Sequence, residues 1–320
     1  MKTKFEVTNN HFNTRPVAFH HNGRPSLVAN MESCTPSKYN KFGFKAAVMD
    51  ACCEDGKFFK ARKESKWLTT YHGEDFQRDW PYPDKCYPAP TPAPLDNNHL
   101  NRHVHLFTIT NIDEHGSAVR QLRHFGMDVR VLGRNIRSYD HDLKIPLLIK
   151  HIPTIETDLT MFFDSDDIWF SSGNLKHLLQ TFQKHKKCKM LCNADAWFFP
   201  KGSNEITNGA EMQSWMQKVI ADEGITTPYT YLNSGLWVAE TKFLQEEFLP
   251  RLKVLRAAQD LNMYTQTYSD CDQSMFHYVY RDLYPDMQID STCSYFQPWN
   301  WSPWLEENYK GYNSLTIKEL

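Results

Sequence analysis

Apolar residues in the middle of the chain fall into short runs bounded by polar, charged or glycine residues. VHLFTIT (104–110), VRVLG (129–133), LTMFFD (159–164) and KMLCNAD (189–195) are four such runs, and their length and β-branched or aromatic content predict buried strands. The segments between them carry a different spacing. SAVRQLRHFG (117–126) predicts a short helix closed by Gly126, and HDLKIPLLIKHIPTI (141–155) a helix with Pro146 near its start. NLKHLLQTFQKHKK (174–187) predicts an amphipathic helix. The alternation of strand and helix argues an α/β fold, a mostly parallel sheet with helices on both faces. Ligands bind beyond the carboxyl ends of such strands. That rule directs attention to Thr110, Gly133, the segment Asp164 to Asp167, and Asp195.

Composition narrows the class without naming a function. The chain has 320 residues, 41% of them hydrophobic, and a net charge of −2, as expected of a globular protein with no global attraction to a polyanion. Bases are concentrated early: residues 36–66 hold eight Lys or Arg against four Asp or Glu. Residues 81–94, PYPDKCYPAPTPAP, contain six prolines and predict an extended connector. No stretch reaches the roughly 20 apolar residues of a membrane span. The opening MKTKFEVTNNHFN lacks an apolar signal region, so a cytoplasmic protein is expected. Eight cysteines without a CxxC pair fit reduced thiols better than a disulfide framework. Cys188 and Cys192 have no further ligands at zinc spacing.

MFFDSDDIWF (161–170) carries the strongest chemical signal. An apolar strand runs into Asp164, Asp166 and Asp167. Three carboxylates held together repel one another, and a hard divalent cation relieves that cost. Oxygen ligands suit Mn²⁺ or Mg²⁺ rather than Zn²⁺, and such ions commonly hold substrate phosphates. A solvated acidic turn is the plain alternative for so short a pattern.

This run, with NAD (193–195), YLNSGLWVAE (231–240), SDCDQSMFHYVY (269–280) and IDSTCSYFQ (289–297), resembles the glycosyltransferase domain of the procollagen lysyl hydroxylase/glycosyltransferase family. The resemblance covers about residues 104–297. It implies a GT-A (Rossmann-like) fold, a UDP-sugar donor held through Mn²⁺, and transfer of a sugar to a hydroxyl acceptor. It places Asp164 and Asp167 on the metal and Thr110 and Lys144 on the donor. Asp166 stands in the donor site where the family usually has a tyrosine, and adds a charge there. Asp195 faces donor sugar or acceptor, and Asn233 precedes a glycine turn on the acceptor side. Asp270 and Asp272 match the family's poly-aspartate stretch, interrupted here by Cys271, and Gln273 completes its DQ ending.

In the family a third metal ligand, a histidine, lies beyond the FQ motif. Only 23 residues follow Gln297 here, none of them histidine. The opening KFEVTNNHFNTRPVAFHHNGRP instead matches the missing family segment at Pro16, His20, Asn22 and Gly23. A circular permutation is therefore expected, with His20 as third metal ligand. The implied layout is a permuted terminal segment (1–35), an insert and proline-rich connector (36–99), a GT-A core (100–298) and an aromatic tail (299–320).

In the implied reaction a carboxylate, Asp195, Asp270 or Asp272, serves as base if the enzyme inverts. The acceptor is either hydroxylysine of a collagen-like protein or a hydroxymethylpyrimidine in phage DNA, the latter suited to the basic 36–66 segment. A viral or bacterial cytoplasmic enzyme fits the absence of a leader. A catalytically silent nucleotide-sugar-binding module on the same fold is the alternative.

Overall fold

A computed structural model of the chain describes residues 5–9, 11, 13–20, 98–110, 117–124, 126–134, 136, 143–165, 168–170, 182, 188–199, 209–260, 272–298 and 315–319. Strands β1 (Phe5–Asn9) and β2 (Ala18–His20) come first. Helix α1 (Asn98–His103) leads into β3 (Val104–Ile109), followed by α2 (Ser117–His124) and β4 (Val129–Leu132). Next come α3 (Lys144–His151) with a 3₁₀ turn at Ile152–Thr154, β5 (Leu159–Phe163), β6 (Ile168–Phe170) and β7 (Met190–Asp195). Helix α4 (Gly209–Asp222) precedes the long strand β8 (Tyr231–Glu240). A short α5 (Thr241–Phe243) continues through a π turn at Leu244–Phe248 into α6 (Leu249–Asp260). Helix α7 (Asp272–Leu283) and strands β9 (Met287–Ile289), β10 (Phe296–Pro298) and β11 (Leu315–Glu319) follow.

The four expected strands form, and the fold is α/β. Six strands make the main sheet in the order β4-β3-β5-β8-β7-β9. β3 is parallel to β4 and β5, and β7 to β9, while β8 runs antiparallel between β5 and β7. Side chains alternate across this sheet as strand geometry requires. Phe107, Ile109, Phe162, Met190 and Trp237 enter one core with α3, α4, α6 and α7. Leu106, Met161, Phe163, Leu236 and Val238 enter the other with α2. Phe162 stacks on Trp237 at 5.5 Å between ring centroids, and Phe107 meets the indole edge-on at 5.9 Å. Burying each such ring contributes about 1.5–3 kcal/mol, so these faces fix the register of β5 against β8.

Two local expectations hold for stated reasons. Gly126 has φ +78°, and its N–H bonds the carbonyl of Arg123 while Met127 N–H bonds that of Leu122, closing α2 in a left-handed cap. Pro146 is third in α3, within the first turn, where its missing N–H breaks no helical bond. The expected turn at LNSG is corrected: Asn233, Ser234 and Gly235 lie within β8. Pairing with β7 jumps there, from Cys192 opposite Trp237 to Asn193 opposite Asn233. The polar, glycine-containing sequence marks a bulge in a continuous strand.

A smaller sheet, β10-β2-β6, brings the early chain to the late chain. β2 is parallel to β10 and antiparallel to β6, with His20 opposite Ile168. The buried Asp290 organises the approach to β10. Its carboxylate accepts N–H bonds from Ser294, Tyr295 and Phe296 at 2.8, 2.6 and 2.7 Å. Asn9 Nδ2 donates to Gln297 Oε1 at 2.6 Å, and Thr14 Oγ1 donates to the Cys293 carbonyl at 2.7 Å. β1 pairs antiparallel with β11, Phe5 opposite Glu319.

The basic 36–66 segment, the proline-rich connector, all but one residue of the expected 174–187 helix, and residues 299–314 of the aromatic tail lie outside the described residues. No helix among the described residues is long and apolar enough to cross a membrane.

Candidate functional site

The carboxyl ends of β3, β5 and β7 gather several of the expected residues. Thr110 follows β3 and is buried, its N–H bonded to the Leu132 carbonyl at the end of β4. Asp164 follows β5, and its N–H bonds the Gly235 carbonyl of β8 at 2.7 Å. Asp195 ends β7, opposite Tyr231. The first residues of α3 and α7 bring Lys144 and Asp272 to the same edge.

Lys144 is the centre of the arrangement. It is only 4% exposed, and its Nζ lies 3.1 Å from Asp164 Oδ1 and 2.9 Å from Asp272 Oδ2. The Phe162 ring lies beneath the ammonium at 5.3 Å. An ammonium taken this far from water requires opposite charge and hydrogen bonds, and the two carboxylates supply both. Asp272, 7% exposed, also accepts a hydrogen bond from Ser234 Oγ at 2.7 Å. Asp164 is 32% exposed and so faces both the ammonium and solvent.

The bulge of β8 shapes the floor under Asp164. A Cβ at Gly235 would stand 2.4 Å from Asp164 Oδ2 and 3.1 Å from Asn233 Oδ1. Only a bare Cα admits the carboxylate here. Asn233 uses its side-chain carbonyl to accept the Gly235 N–H at 2.8 Å, which fixes the bulge. Ser234 and Gly235 were not singled out as site residues by the sequence pattern. The glycine inside an otherwise apolar strand was the available signal, since such a glycine often marks a bulge or a close approach.

A second group adjoins the first. Asp195 Oδ1 accepts the Trp197 N–H at 3.0 Å, and Gln273 Nε2 donates to the Phe199 carbonyl at 3.3 Å. Gln273 thus ties α7 to the loop leaving β7. Within that loop Trp197 and Phe199 are exposed, while Phe198 stacks on His277 at 5.0 Å. Burial holds the His277 pKa down to about 4; the neutral ring bonds the Leu232 carbonyl through Nε2 at 3.4 Å.

The structure therefore joins Asp164, Lys144, Asp272 and Asn233 in one bonded cluster, with Asp195 and Gln273 linked to the neighbouring loop. Asp166, Asp167 and Asp270 lie outside the described residues. His20 is placed by its backbone alone, on β2 opposite Ile168. Among the described residues no three His, Cys, Asp or Glu side chains form a metal-binding group. Asp164, one oxygen on the Lys144 ammonium and a third of its side chain exposed, offers an oxygen donor of the kind a hard cation takes.

No protein-family model matches the chain, and no curated protein matches it. Among solved structures it is similar to glucosyl-3-phosphoglycerate synthase from Mycobacterium tuberculosis. One structure of that enzyme has a TM-score of 0.31 and 10% identity over 65% of this chain and 76% of that one. Its complex with Mn²⁺, UDP and phosphoglyceric acid gives a TM-score of 0.28 and 12% identity. That match covers 51% of this chain and 66% of the other, just under two thirds. The complex with Mn²⁺, UDP-glucose and phosphoglyceric acid gives 0.30 and 10%, over 66% and 76%. These likenesses assign no role to any residue of this chain, and the cluster around Lys144 stands on its own contacts.

Proposed function

We propose that the chain is a metal-dependent glycosyltransferase of GT-A type that moves a hexose or pentose from a UDP-sugar to a hydroxyl acceptor. The observation that carries the reading is the buried Lys144 held between Asp164 and Asp272 at the carboxyl edge of the sheet. A diphosphate leaving the anomeric carbon accumulates negative charge, and a cation fixed in a water-poor setting stabilises it. Mn²⁺ or Mg²⁺ bound by Asp164, Asp167 and His20 would supply Lewis-acid neutralisation of that leaving group. Lys144 contributes a second positive charge on the same side, and Thr110 and Asp166 border the donor. Asp164 is oriented by its own backbone bond to Gly235 and by the glycine beneath it.

Proton removal from the acceptor falls to a carboxylate if the reaction inverts. Asp272 Oδ2 already accepts from Ser234 and Lys144, a setting that disfavours taking a further proton. Asp195 is the better base, with Asp270 as the other candidate. Asn233 and Gln273 hold the bulge and the loop that flank it.

The permuted layout is part of the proposal. It is supported by the seating of β2 between β10 and β6, which sets the His20 backbone opposite Ile168, next after Asp167. Replacing His20 with alanine should weaken Mn²⁺ binding at least tenfold; unchanged affinity in that variant would overturn the permutation. The test of the whole reading is UDP-sugar turnover measured with Mn²⁺ and again after chelation. Metal-dependent release of UDP is expected. No metal-dependent turnover of any UDP-sugar would favour a silent nucleotide-sugar-binding module, the reading motivated by Asp166 at the tyrosine position and by Cys271. For the acceptor, modified DNA and a collagen-type peptide remain the two proposals. Affinity that falls steeply with salt favours DNA, and indifference to salt favours the peptide.

A further inference from the structure

At the opposite end of β3 a different group of side chains meets. His105 on β3 and His151, the last residue of α3, face each other with their Nε2 atoms 2.9 Å apart. Phe107 walls the pair, its ring 5.1 Å from that of His151 and 5.8 Å from that of His105. Both imidazoles are half-buried. The 144–151 helix separates this pair from Lys144 by seven residues, about 10 Å along its axis, so it is no part of the carboxylate cluster.

We propose that His105 and His151 form a two-imidazole site for a borderline divalent metal, with Zn²⁺ as the probe. Imidazole nitrogen suits Zn²⁺, Cu²⁺ or Ni²⁺ and offers little to Mg²⁺ or Ca²⁺. Thr154 gives His151 Nδ1 a hydrogen-bonding partner. Its hydroxyl donates to the His151 carbonyl at 2.8 Å, so the oxygen's lone pairs remain for His151 Nδ1–H, 3.4 Å away. This contact suits the His151 tautomer with Nε2 as the acceptor, and a partner on the other ring nitrogen is the second-shell arrangement that metal-binding histidines use. His105 then donates Nε2–H to it, and on metal binding moves that proton to Nδ1. No proton is lost overall; two waters leave the ion and two nitrogen lone pairs replace them.

The nitrogen spacing changes little on binding, while both rings turn so that their lone pairs converge on the ion beside the line joining them. Two nitrogens at about 2.0–2.1 Å from a tetrahedral Zn²⁺ stand about 3.3 Å apart, a few tenths of an ångström wider than the pair. Partial exposure leaves room for waters in the remaining positions. His151 ends a helix, where the carbonyl dipoles favour a cation. Burial lowers the pKa of both rings, His151 to about 4, with Arg130 adding to the effect on each and Asp128 opposing it at His105. Both rings are therefore unprotonated at neutral pH, as ligation demands.

The test is a Zn²⁺ titration of the full chain against a chromophoric chelator, with excess Mg²⁺ present to occupy oxygen sites, alongside thermal melts. Wild type should bind an equivalent of Zn²⁺ that His105→Gln and His151→Gln each lose, together with the Zn²⁺-induced rise in melting temperature. If both variants keep the wild-type Zn²⁺ stoichiometry, the pair is a hydrogen bond only and the proposal fails. If neither variant folds, carbethoxylation of the unmodified chain decides, read residue by residue by mass spectrometry. Zn²⁺ should protect His105 and His151; labelling unchanged by Zn²⁺ overturns the site.

Discussion

Replacing Lys144 with methionine removes one charge from a group of three and leaves the stem's volume in place. Its two partners approach within 3.1 and 2.9 Å of the ammonium, so the facing carboxylate oxygens are no more than about 6 Å apart. At an effective dielectric of about 20, two negative charges at that separation repel by about 3 kcal/mol. An independent estimate comes from buried ion pairs stripped of one partner, which lose about 3–5 kcal/mol. Asp164 keeps a third of its surface in water, which favours the lower end of that range. We expect Lys144→Met to lose about 3 kcal/mol, a fall of roughly 5 °C in melting temperature for a domain of this size. Urea unfolding followed by circular dichroism would measure it, best within a double-mutant cycle with Asp272→Asn. Because the amide still accepts from Ser234, the second change removes charge while sparing that bond. The two substitutions should couple by about 1.5–3 kcal/mol. A loss under about 0.5 kcal/mol for Lys144→Met, or an additive cycle, would refute the electrostatic account.

Gly235→Ala places a methyl 2.4 Å from Asp164 Oδ2; it should cost about 1–3 kcal/mol and weaken Mn²⁺ binding measured by calorimetry, and unchanged affinity would show that the Asp164 carboxylate need not sit there. His277 is buried neutral with its pKa held near 4, below the 6.5 of an unfolded histidine. The unfolded chain therefore binds the extra proton as pH falls from 6.5 to 4, so stability is lost in that window, by about 2–3 kcal/mol from this residue. His277→Gln should flatten that part of the stability–pH curve, and an unaltered slope would count against the assignment. Asp290→Asn turns part of an acceptor for three backbone N–H groups into a donor, and should cost about 2–4 kcal/mol. Amide exchange of Tyr295 and Phe296 would report it; protection equal to wild type would show that the clamp is dispensable.

The sheet was legible where strands are short, apolar and bounded, as at 104–110, 159–164 and 189–195. β8 was not, because Asn233, Ser234 and Gly235 carry turn chemistry and the strand absorbs them as a bulge. Strand order was also hidden: β8 enters between β5 and β7 although it follows both in the chain, and such placement is set by the packing of Phe162 and Phe107 against Trp237. At the site, Asp164 could be found from its place at a strand end. Lys144 came from resemblance alone, since a lysine on a helix otherwise predicts a solvated surface. Its burial depends on Asp272, more than a hundred residues away, a pairing no local pattern expresses. Ser234 carried no signal of its own.

The pairing of β1 with β11 and of β2 with β6 and β10 also sets a clock. A ribosome moving at about 5–20 residues per second reaches residues 315–319 roughly 15–60 s after residues 5–9. During that interval β1 lacks β11, the strand it pairs with among the described residues, and the segment bearing His20 has only part of its sheet. Every strand of the main sheet has been made once residue 289 is reached, whereas the β1–β11 pair closes last. Any factor that engages the nascent amino-terminal segment therefore acts on the element that, in the proposed enzyme, completes the metal site.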